Sequence, residues 1–138
     1  MRVLGLDFGD RWWGVALSDE TGLFAYPMTV ADGLEEALKL IQEAIRSDHA
    51  SLVVVGLPRN MDGSLGPKAQ EVLRFVEVLK ERITVPVETW DERLTTVEAE
   101  GYLREAGVPR RRWKEKVNQM AAQILLQSWL DARRSRQA

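Results

Sequence analysis

Three strand-like segments lie within the first thirty residues, and this spacing constrains the fold more than any other feature of the chain. They cover residues 2–8, 12–17 and 24–30, and each is rich in apolar, β-branched or aromatic residues. Parallel neighbours need a crossover of a dozen or more residues, which these short connections cannot supply. The three segments are therefore predicted to form an antiparallel meander.

Beyond residue 30 the apolar residues recur at helical spacing instead of strand spacing. Asp32 and Glu35 resemble a capping box, and they predict a helix that begins near residue 34. Thr95 and Glu98 predict a second capping box at the start of a later helix. The other two predicted helices cover residues 67–79 and 117–128.

Two further strands separate these helices. Residues 51–57 form a continuously apolar run, which is typical of a strand buried on both faces, and residues 85–90 form the second. Strands that alternate with helices imply right-handed crossovers and a parallel portion of the sheet. The prediction is an α/β fold, a mixed five-stranded sheet of three antiparallel and then two parallel strands, flanked by helices. At 138 residues the chain is expected to form one domain, residues 1–138.

Composition limits the chemistry. The chain has no cysteine and one histidine, which excludes a disulfide framework, thiolate zinc sites and a histidine-rich metal site. Any bound metal is then expected to be a hard cation held by oxygen. No apolar run is as long as a membrane span, and the N-terminus lacks the pattern of a signal peptide. We expect a cytoplasmic protein that does not interact with membranes.

Charge is distributed unevenly along the chain. The net charge is −2, yet from Arg104 onward nine Lys and Arg residues stand against three Asp and Glu residues. Such asymmetry is a hint of a polyanionic partner, although a basic terminal helix is equally a solvated face.

Carboxylates lie at the predicted strand ends, where ligands of such sheets usually bind. Asp7 lies near the end of the first strand, and Asp91 and Glu92 follow the fifth. Carboxylates that crowd together repel one another unless a cation lies between them. Mg²⁺ or Mn²⁺ suits such a site, since either needs few protein oxygens besides water and substrate phosphate. The pattern predicts a metal site that activates water for phosphodiester cleavage.

Simpler interpretations of these residues stay open. Asp91 could pair with Arg93 instead of binding a metal. The loop after the fourth strand, residues 58–66, offers Arg59 and backbone amides to a phosphate, but it is equally a plain connection rich in turn residues.

Four segments of the chain resemble the motif blocks of the YqgF/RuvX family. They read GLDFGDRWWGVALSD, VVGLPRNMDGSLGP, DERLTT and KVNQMAAQILLQSWL, and they extend over nearly the whole chain. Members are RNase H-like proteins described as Holliday junction resolvases and as nucleases that mature precursor 16S rRNA. The resemblance implies an RNase H-like fold, a divalent metal, Mg²⁺ or Mn²⁺, and a nucleic-acid substrate.

The resemblance also implies the catalytic residues. Asp7 takes the position of the first-strand aspartate, and Glu92, with Asp91 as a close second, stands in the family's D-E-R motif. Asn118 takes the third position, where relatives usually carry an acidic residue. The implied metal ligands are Asp7, Glu92 and Asn118. Because an amide brings no charge, Asn118 implies either a site that tolerates a neutral ligand or a less active protein.

Trp12 is a second departure from the family pattern, because relatives commonly carry a Lys-Arg pair in this block. An exposed Trp12 could stack on an unpaired base. Trp12 and Trp13 are neighbours on a strand and face opposite ways, so at least one is expected in the core. A basic segment leads into the last helix and is a candidate phosphate-tracking surface. The residues predicted to bind nucleic acid are Arg11, Trp12, Arg59, Arg93, Arg110, Arg111, Arg112, Lys114 and Lys116.

Several functions compete at this point. The leading hypothesis is a metal-dependent nuclease that processes the 5′ end of pre-16S rRNA. Junction resolution is the alternative, and it would need a dimer with two spaced sites, so a monomer and a homodimer are both open. Asn118 supports a third hypothesis, a catalytically weak nucleic-acid-binding module. A strand with D-x-G also opens sugar kinases, actin and chaperone ATPases, but that fold needs two such domains and this chain supplies one.

Overall fold

The computed structural model describes the backbone of residues 1–137 and the side chains of residues 1–93, 97–113 and 120–135. In this part of the chain, three consecutive strands come first, and helices and strands then alternate. The elements are β1 (Arg2–Asp7), β2 (Trp12–Ser18), β3 (Ala25–Asp32), α1 (Gly33–Ser47), β4 (Ala50–Leu57), α2 (Pro67–Arg82), β5 (Val87–Asp91), α3 (Glu92–Glu105), a 3₁₀ turn (Arg110–Arg112) and α4 (Trp113–Gln137).

The strands form one mixed sheet in the order β3-β2-β1-β4-β5. The first three pair antiparallel, whereas β1, β4 and β5 are parallel neighbours. This confirms the predicted meander and the predicted mixed five-stranded sheet. In the observed register Asp7 pairs with Gly14, and Leu57 pairs with Asp91, so the ends of β1, β4 and β5 meet at one edge of the sheet.

Helices cover both faces of the sheet. On one face, Leu4 and Leu6 pack in a core shared with α1 and α2, and on the other Val3 packs in a core shared with α4. The same alternation places Val53 and Val54 of β4 in opposite cores, which explains why this strand is apolar throughout. None of the helices in the described part of the chain is long and apolar enough to cross a membrane.

Helix α4 lies unusually close to the centre of the sheet. A Cβ atom added at Gly5 of β1 would lie 2.8 Å from the Cβ of Leu126 and 3.4 Å from the carbonyl oxygen of Ala122. Glycine at this position therefore allows the helix to approach the strand, and the approach brings the helix over the edge where Asp7 lies.

Neither predicted capping box forms, although Asp32 is the N-cap residue of α1, which begins at Gly33. At α1 the Asp32 carboxylate receives a hydrogen bond from Arg11, and its backbone N–H donates to Glu36, not to Glu35. At the later helix the structure begins α3 at Glu92, three residues before Thr95. The strand β5 leads directly into this helix, and the side chain of Asp91 already caps it. The side chain of Thr95 lies outside the described residues.

Candidate active site

Two carboxylates meet at the edge where the parallel strands end. Asp7 is the last residue of β1, and Glu92 is the first residue of α3, directly after β5. Both side chains are half-buried, and they share a hydrogen bond. Strand β4 lies between β1 and β5, so the side chains approach one another across its end.

The shared hydrogen bond requires a proton, and the pKa of Glu92 reflects this. Burial is the largest of the effects that together raise the pKa of Glu92 to about 9, followed by the hydrogen bond and the negative charge of Asp7. The positive charge of Lys68 acts in the opposite direction. Two carboxylates this close cannot both ionise at low cost, so at neutral pH the pair holds one proton between them.

Glycines leave room for both carboxylates. A Cβ atom at Gly56 of β4 would lie only 2.5 Å from Oε1 of Glu92. A Cβ atom at Gly14 of β2 would lie 3.8 Å from the Cβ of Asp7 and 3.1 Å from the Cβ of Ala122. Any larger side chain at Gly56 would occupy the space that Glu92 now fills, so this glycine helps to position the pair.

Asp91 has a different environment from its neighbour. Its carboxylate accepts a hydrogen bond from the backbone N–H of Arg93 at 2.9 Å and forms an ion pair with the guanidinium of the same residue at 2.8 Å. Arg59 lies 3.9 Å away. The hydrogen bonds from Arg93 hold the pKa of Asp91 below its ordinary value. Of the two adjacent acids, Glu92 is the one that the structure brings to Asp7.

Arg59 and Arg93 are both engaged with the loop that follows β4. The Nη1 atom of Arg93 donates to the carbonyl oxygen of Met61 at 3.2 Å, and that of Arg59 donates to the carbonyl oxygen of Gly63 at 2.9 Å. The Arg93 contact ties the loop to the start of α3, and the Arg59 contact lies within the loop itself. The predicted nucleic-acid-binding role of both arginines would have to coexist with this structural one.

Lys68 is a residue of the site that the sequence analysis did not single out. It lies in the first turn of α2, its ammonium group donates a hydrogen bond to Asp10, and the group lies 4.9 Å from the centre of the Phe8 ring. A cation in the first turn of a helix is unfavourable with the helix dipole. A lysine directly after the proline that begins the helix, in the sequence Gly66-Pro67-Lys68, was therefore the sequence feature that could have identified this residue.

The two adjacent tryptophans face opposite sides of β2, as predicted. Trp13 is 4% exposed, and its ring packs against Phe75 with the ring centroids 4.8 Å apart. Trp12 is 55% exposed. The guanidinium of Arg11 lies 4.7 Å from the centre of the Trp12 ring and forms an ion pair with Asp32 at 3.3 Å.

The basic segment before α4 forms a 3₁₀ turn, Arg110–Arg112, whose side chains are exposed. Trp113 follows it and donates from its indole nitrogen to the carbonyl oxygen of Val108 at 2.8 Å. The guanidinium groups of Arg104 and Arg110 lie 5.6 and 5.1 Å from the centre of the Trp113 ring. The Trp113 ring is thus already in contact with residues close to it in the sequence.

Three predicted site residues cannot be placed by their side chains. Asn118, Lys114 and Lys116 lie outside the residues whose side chains the structure describes. The helix that carries them, α4, does reach the site. A Cβ atom added at Gly14 would lie 3.1 Å from the Cβ of Ala122 in α4 and 3.8 Å from the Cβ of Asp7.

The donor set at the sheet edge fits a hard divalent cation. No group of three or more His, Cys, Asp or Glu side chains that could hold a metal occurs among the described residues. However, Mg²⁺ commonly binds through one or two carboxylates and completes its shell with water and substrate phosphate. Asp7 and Glu92 supply two carboxylates at one point. They share a proton because their negative charges repel one another, and a bound cation would relieve the same repulsion.

The sequence matches the family described as RuvX: Holliday junction resolvase over residues 1–132. A protein of Desulforudis audaxviator is 47% identical over 137 residues, covering 98% of this chain and 97% of that protein. A protein of Thermoanaerobacter pseudethanolicus is 42% identical over 139 residues, covering 99% and 100%. Both are named "Putative pre-16S rRNA nuclease". The family match decides against the kinase-like alternative.

Among solved structures, RuvC of T. thermophilus in complex with a Holliday junction substrate has a TM-score of 0.60. The superposition covers 98% of this chain and 96% of that chain at 17% sequence identity. At this identity the likeness establishes the fold alone. It confirms the predicted RNase H-like architecture of the mixed sheet and its helices.

Proposed function

Because the chain belongs to the RuvX Holliday junction resolvase family, we propose that this nuclease hydrolyses phosphodiester bonds in RNA with the help of a divalent cation. The reaction class follows the family and the names of the curated relatives. The substrate and the metal requirement are the proposed parts. Processing of the 5′ end of pre-16S rRNA, a cytoplasmic step, is the proposed task.

The observation that carries the proposal is the hydrogen-bonded pair of Asp7 and Glu92 at the edge of the sheet. In this proposal both carboxylates hold Mg²⁺ or Mn²⁺, and the side chain at position 118 contributes a neutral oxygen. The cation would supply the charge that activates water and stabilises the leaving oxygen. The chain itself leaves room for the two carboxylates, because Gly56 has no side chain to displace Glu92 and Gly14 has none between Ala122 of α4 and Asp7.

Lys68 completes the proposed electrostatics. Its ammonium group is close enough to the carboxylate pair to lower the pKa of Glu92, and its hydrogen-bond partner, Asp10, is a solvent-exposed side chain. An exposed ion pair is weak, so Lys68 can exchange Asp10 for a substrate phosphate at little cost. This contact would orient the phosphate beside the carboxylates.

RNA is favoured over a four-way DNA junction by two observations. The relatives that match over nearly their whole length are named for pre-16S rRNA. The exposed Trp12 lies on the same face as Asp7 and suits an unpaired base, which single-stranded RNA offers. Junction resolution stays the alternative because the family description is resolvase and RuvC binds a junction. It would require a homodimer, whereas RNA cleavage is open to a monomer.

The test is a cleavage assay with matched variants. Labelled pre-16S rRNA fragments, single-stranded RNA and a four-way DNA junction are incubated with the protein in Mg²⁺, Mn²⁺ or EDTA. We expect cation-dependent cleavage of RNA that is lost in Asp7→Asn and Glu92→Gln and retained in Glu88→Gln. Glu88 is a matched control because it is an exposed carboxylate on β5, four residues before Glu92.

Other outcomes would redirect the proposal. Cleavage in EDTA, or in Asp7→Asn, would contradict metal-dependent hydrolysis at this pair. Cleavage of the junction alone would favour the resolvase alternative. Binding without cleavage, even in Asn118→Asp, would leave the catalytically weak nucleic-acid-binding module.

A further inference from the structure

A groove runs from Asp7 along strands β2 and β3, with helix α4 as its opposite wall. Its volume is ≈ 480 Å³, and it is lined by Asp7, Trp12, Met28, Val30 and Ala121 among others. This volume lies within the range of about 300–1,000 Å³ that small ligands occupy in proteins. Because Asp7 lines it, the groove adjoins the candidate active site.

The backbone keeps this groove open. Gly14 lies in its floor, and a Cβ there would approach the Cβ of Ala122 to 3.1 Å, so any side chain at this position would begin to fill the space. In β3, the pairing with β2 shifts between Val15 and Ala16 and leaves Met28 as an extra residue. Such a bulge changes the direction of the side chains at a sheet edge, and here Met28 lines the groove.

The walls combine accessible apolar side chains with two uncharged polar ones, Thr29 and Gln123. Trp12 and Val30 are each 55% exposed, and Met28 is 37% exposed. Of the described residues that line the groove, only Asp7 is charged. Away from Asp7 the described lining offers no positive charge to a phosphate, whereas a neutral and planar group would gain apolar contact with Trp12, Met28 and Val30. The Arg11 guanidinium lies over the Trp12 ring, 4.7 Å from its centre, and so places a positive charge next to a group that stacks on this tryptophan.

We propose that this groove is a nucleobase subsite, which receives one unpaired base of the substrate strand and stacks it on Trp12. The inference rests on the proposed function, since it assumes that the neighbouring phosphate lies at Asp7. A base in a duplex is paired and stacked, whereas an unpaired base can turn out and stack on an aromatic side chain. The subsite therefore makes the protein select RNA that is single-stranded next to the cleavage position.

Binding of short single-stranded RNA, measured by fluorescence anisotropy in EDTA so that the strand stays intact, tests the subsite. Replacing a stacking aromatic by alanine weakens binding on the order of ten-fold. We expect that loss in Trp12→Ala, partial recovery in Trp12→Phe, and little change for either variant on a hairpin of the same sequence. Phe24→Ala is the matched control, because Phe24 is also 55% exposed and does not line the groove.

An abasic scan of the same RNA identifies the base. Removing the base that enters the groove should weaken binding to the unmodified protein by about ten-fold, but should scarcely affect Trp12→Ala, which has already lost the stacking partner. Equal affinities of Trp12→Ala and Phe24→Ala, or an abasic scan without any sensitive position, would overturn the proposal. So would sedimentation showing a dimer that Trp12→Ala dissociates, because the groove would then bind a second copy.

These results are separable from a failure of the proposed function. If the protein cleaves no RNA in any cation but shows the Trp12-dependent loss of single-strand binding, the nuclease proposal fails and the subsite stands. If the unmodified protein and Trp12→Ala cleave RNA with equal efficiency and bind single strands equally well, the subsite fails and the nuclease proposal stands.

Discussion

The carboxyl groups of Asp7 and Glu92 share a hydrogen bond, although one ends the first strand and the other begins the helix after the last strand. The parallel pairing of β1, β4 and β5 brings these strand ends together. Without a cation the pair needs a proton, and this requirement links the stability of the protein to pH and to metal binding.

Stability of the metal-free protein should fall as the pH rises. The pKa of Glu92 is raised from 4.5 to about 9 on folding, so between these values the folded state binds more protons than the unfolded chain. The free energy of unfolding then decreases with pH by at most about 1.4 kcal/mol per unit. This stabilising contribution is fully present below pH 4.5 and is lost as the pH approaches 9. Urea unfolding in EDTA across this range measures it.

Glu92→Gln is the control for this pH dependence, because the amide keeps a hydrogen bond to Asp7 and does not titrate. Its free energy of unfolding should change less with pH than that of the unmodified protein. Added Mn²⁺ should raise the unfolding midpoint most at the higher pH, where the cation competes with fewer protons. Parallel pH profiles of the two proteins would contradict the assignment.

Gly56→Ala should disable the site without unfolding the protein. The new Cβ would lie 2.5 Å from Oε1 of Glu92, which is the end of a flexible side chain and can move away. It would also lie 3.0 Å from Cγ of Glu92 and from Cδ2 of Leu125, so the leucine methyl has to shift slightly. Glu92 would then leave Asp7, and we expect activity to fall at least about ten-fold, as for small misplacements of catalytic groups. Circular dichroism and cleavage rates measured on one preparation test this.

Gly101→Ala is the matched substitution away from the site. Gly101 lies within α3, and a Cβ there would meet no atom within 4 Å among the described residues outside the backbone of its own helix. Alanine should stabilise the protein by about 0.5–1 kcal/mol, since it restricts the unfolded chain and favours the helix. Unchanged activity of Gly101→Ala beside reduced activity of Gly56→Ala would attribute the loss to Glu92. Equal losses would indicate a general disturbance.

Lys68→Met tests the proposed phosphate contact. The substitution keeps a long side chain beside Phe8 and removes the charge, so RNA binding should weaken and the salt dependence of the affinity should fall by about one counterion. Lys80→Met should leave both unchanged because Lys80 lies at the opposite end of α2 from the carboxylate pair. If the two variants behave alike, Lys68 does not contact phosphate.

Arg93→Lys separates a structural role from a nucleic-acid contact. Lysine keeps the charge but cannot reproduce the paired hydrogen bonds to Asp91 together with the bond to Met61. We expect a lower urea midpoint and a lower turnover number, with the salt dependence of RNA affinity unchanged. A change in salt dependence with normal stability would instead support the predicted nucleic-acid-binding role of Arg93.

Local sequence patterns predicted the elements and the starts of α1 and α2, but not the start of α3. The short spacing of the first three strands leaves few ways to pair them, and the structure confirms the meander. The Thr95 and Glu98 pattern suggested a capping box, but the helix begins at Glu92 because Asp91, at the end of β5, already caps it. A cap depends on where the preceding strand ends, and sheet pairing determines that position.

Trp12 and Trp13 also show what the local sequence predicts and what tertiary packing decides. Alternation along a strand predicts that they face opposite sides. Which of them is buried depends on the helices above each face: α2 brings Phe75 against Trp13, whereas Trp12 lines a groove beside α4. The amphipathic pattern of a helix shows that it covers something, but it does not show which face of the sheet it covers.

The sequence by itself determined the order of the elements, the mixed sheet and the acids available for a site, because period, spacing and residue type are local properties. The tertiary structure alone decided that Glu92 instead of Asp91 meets Asp7, that Lys68 lies near them, and that the groove beside Trp12 stays open. Each of these depends on strand register and on the approach of helices to glycines, which are contacts between residues far apart in the chain.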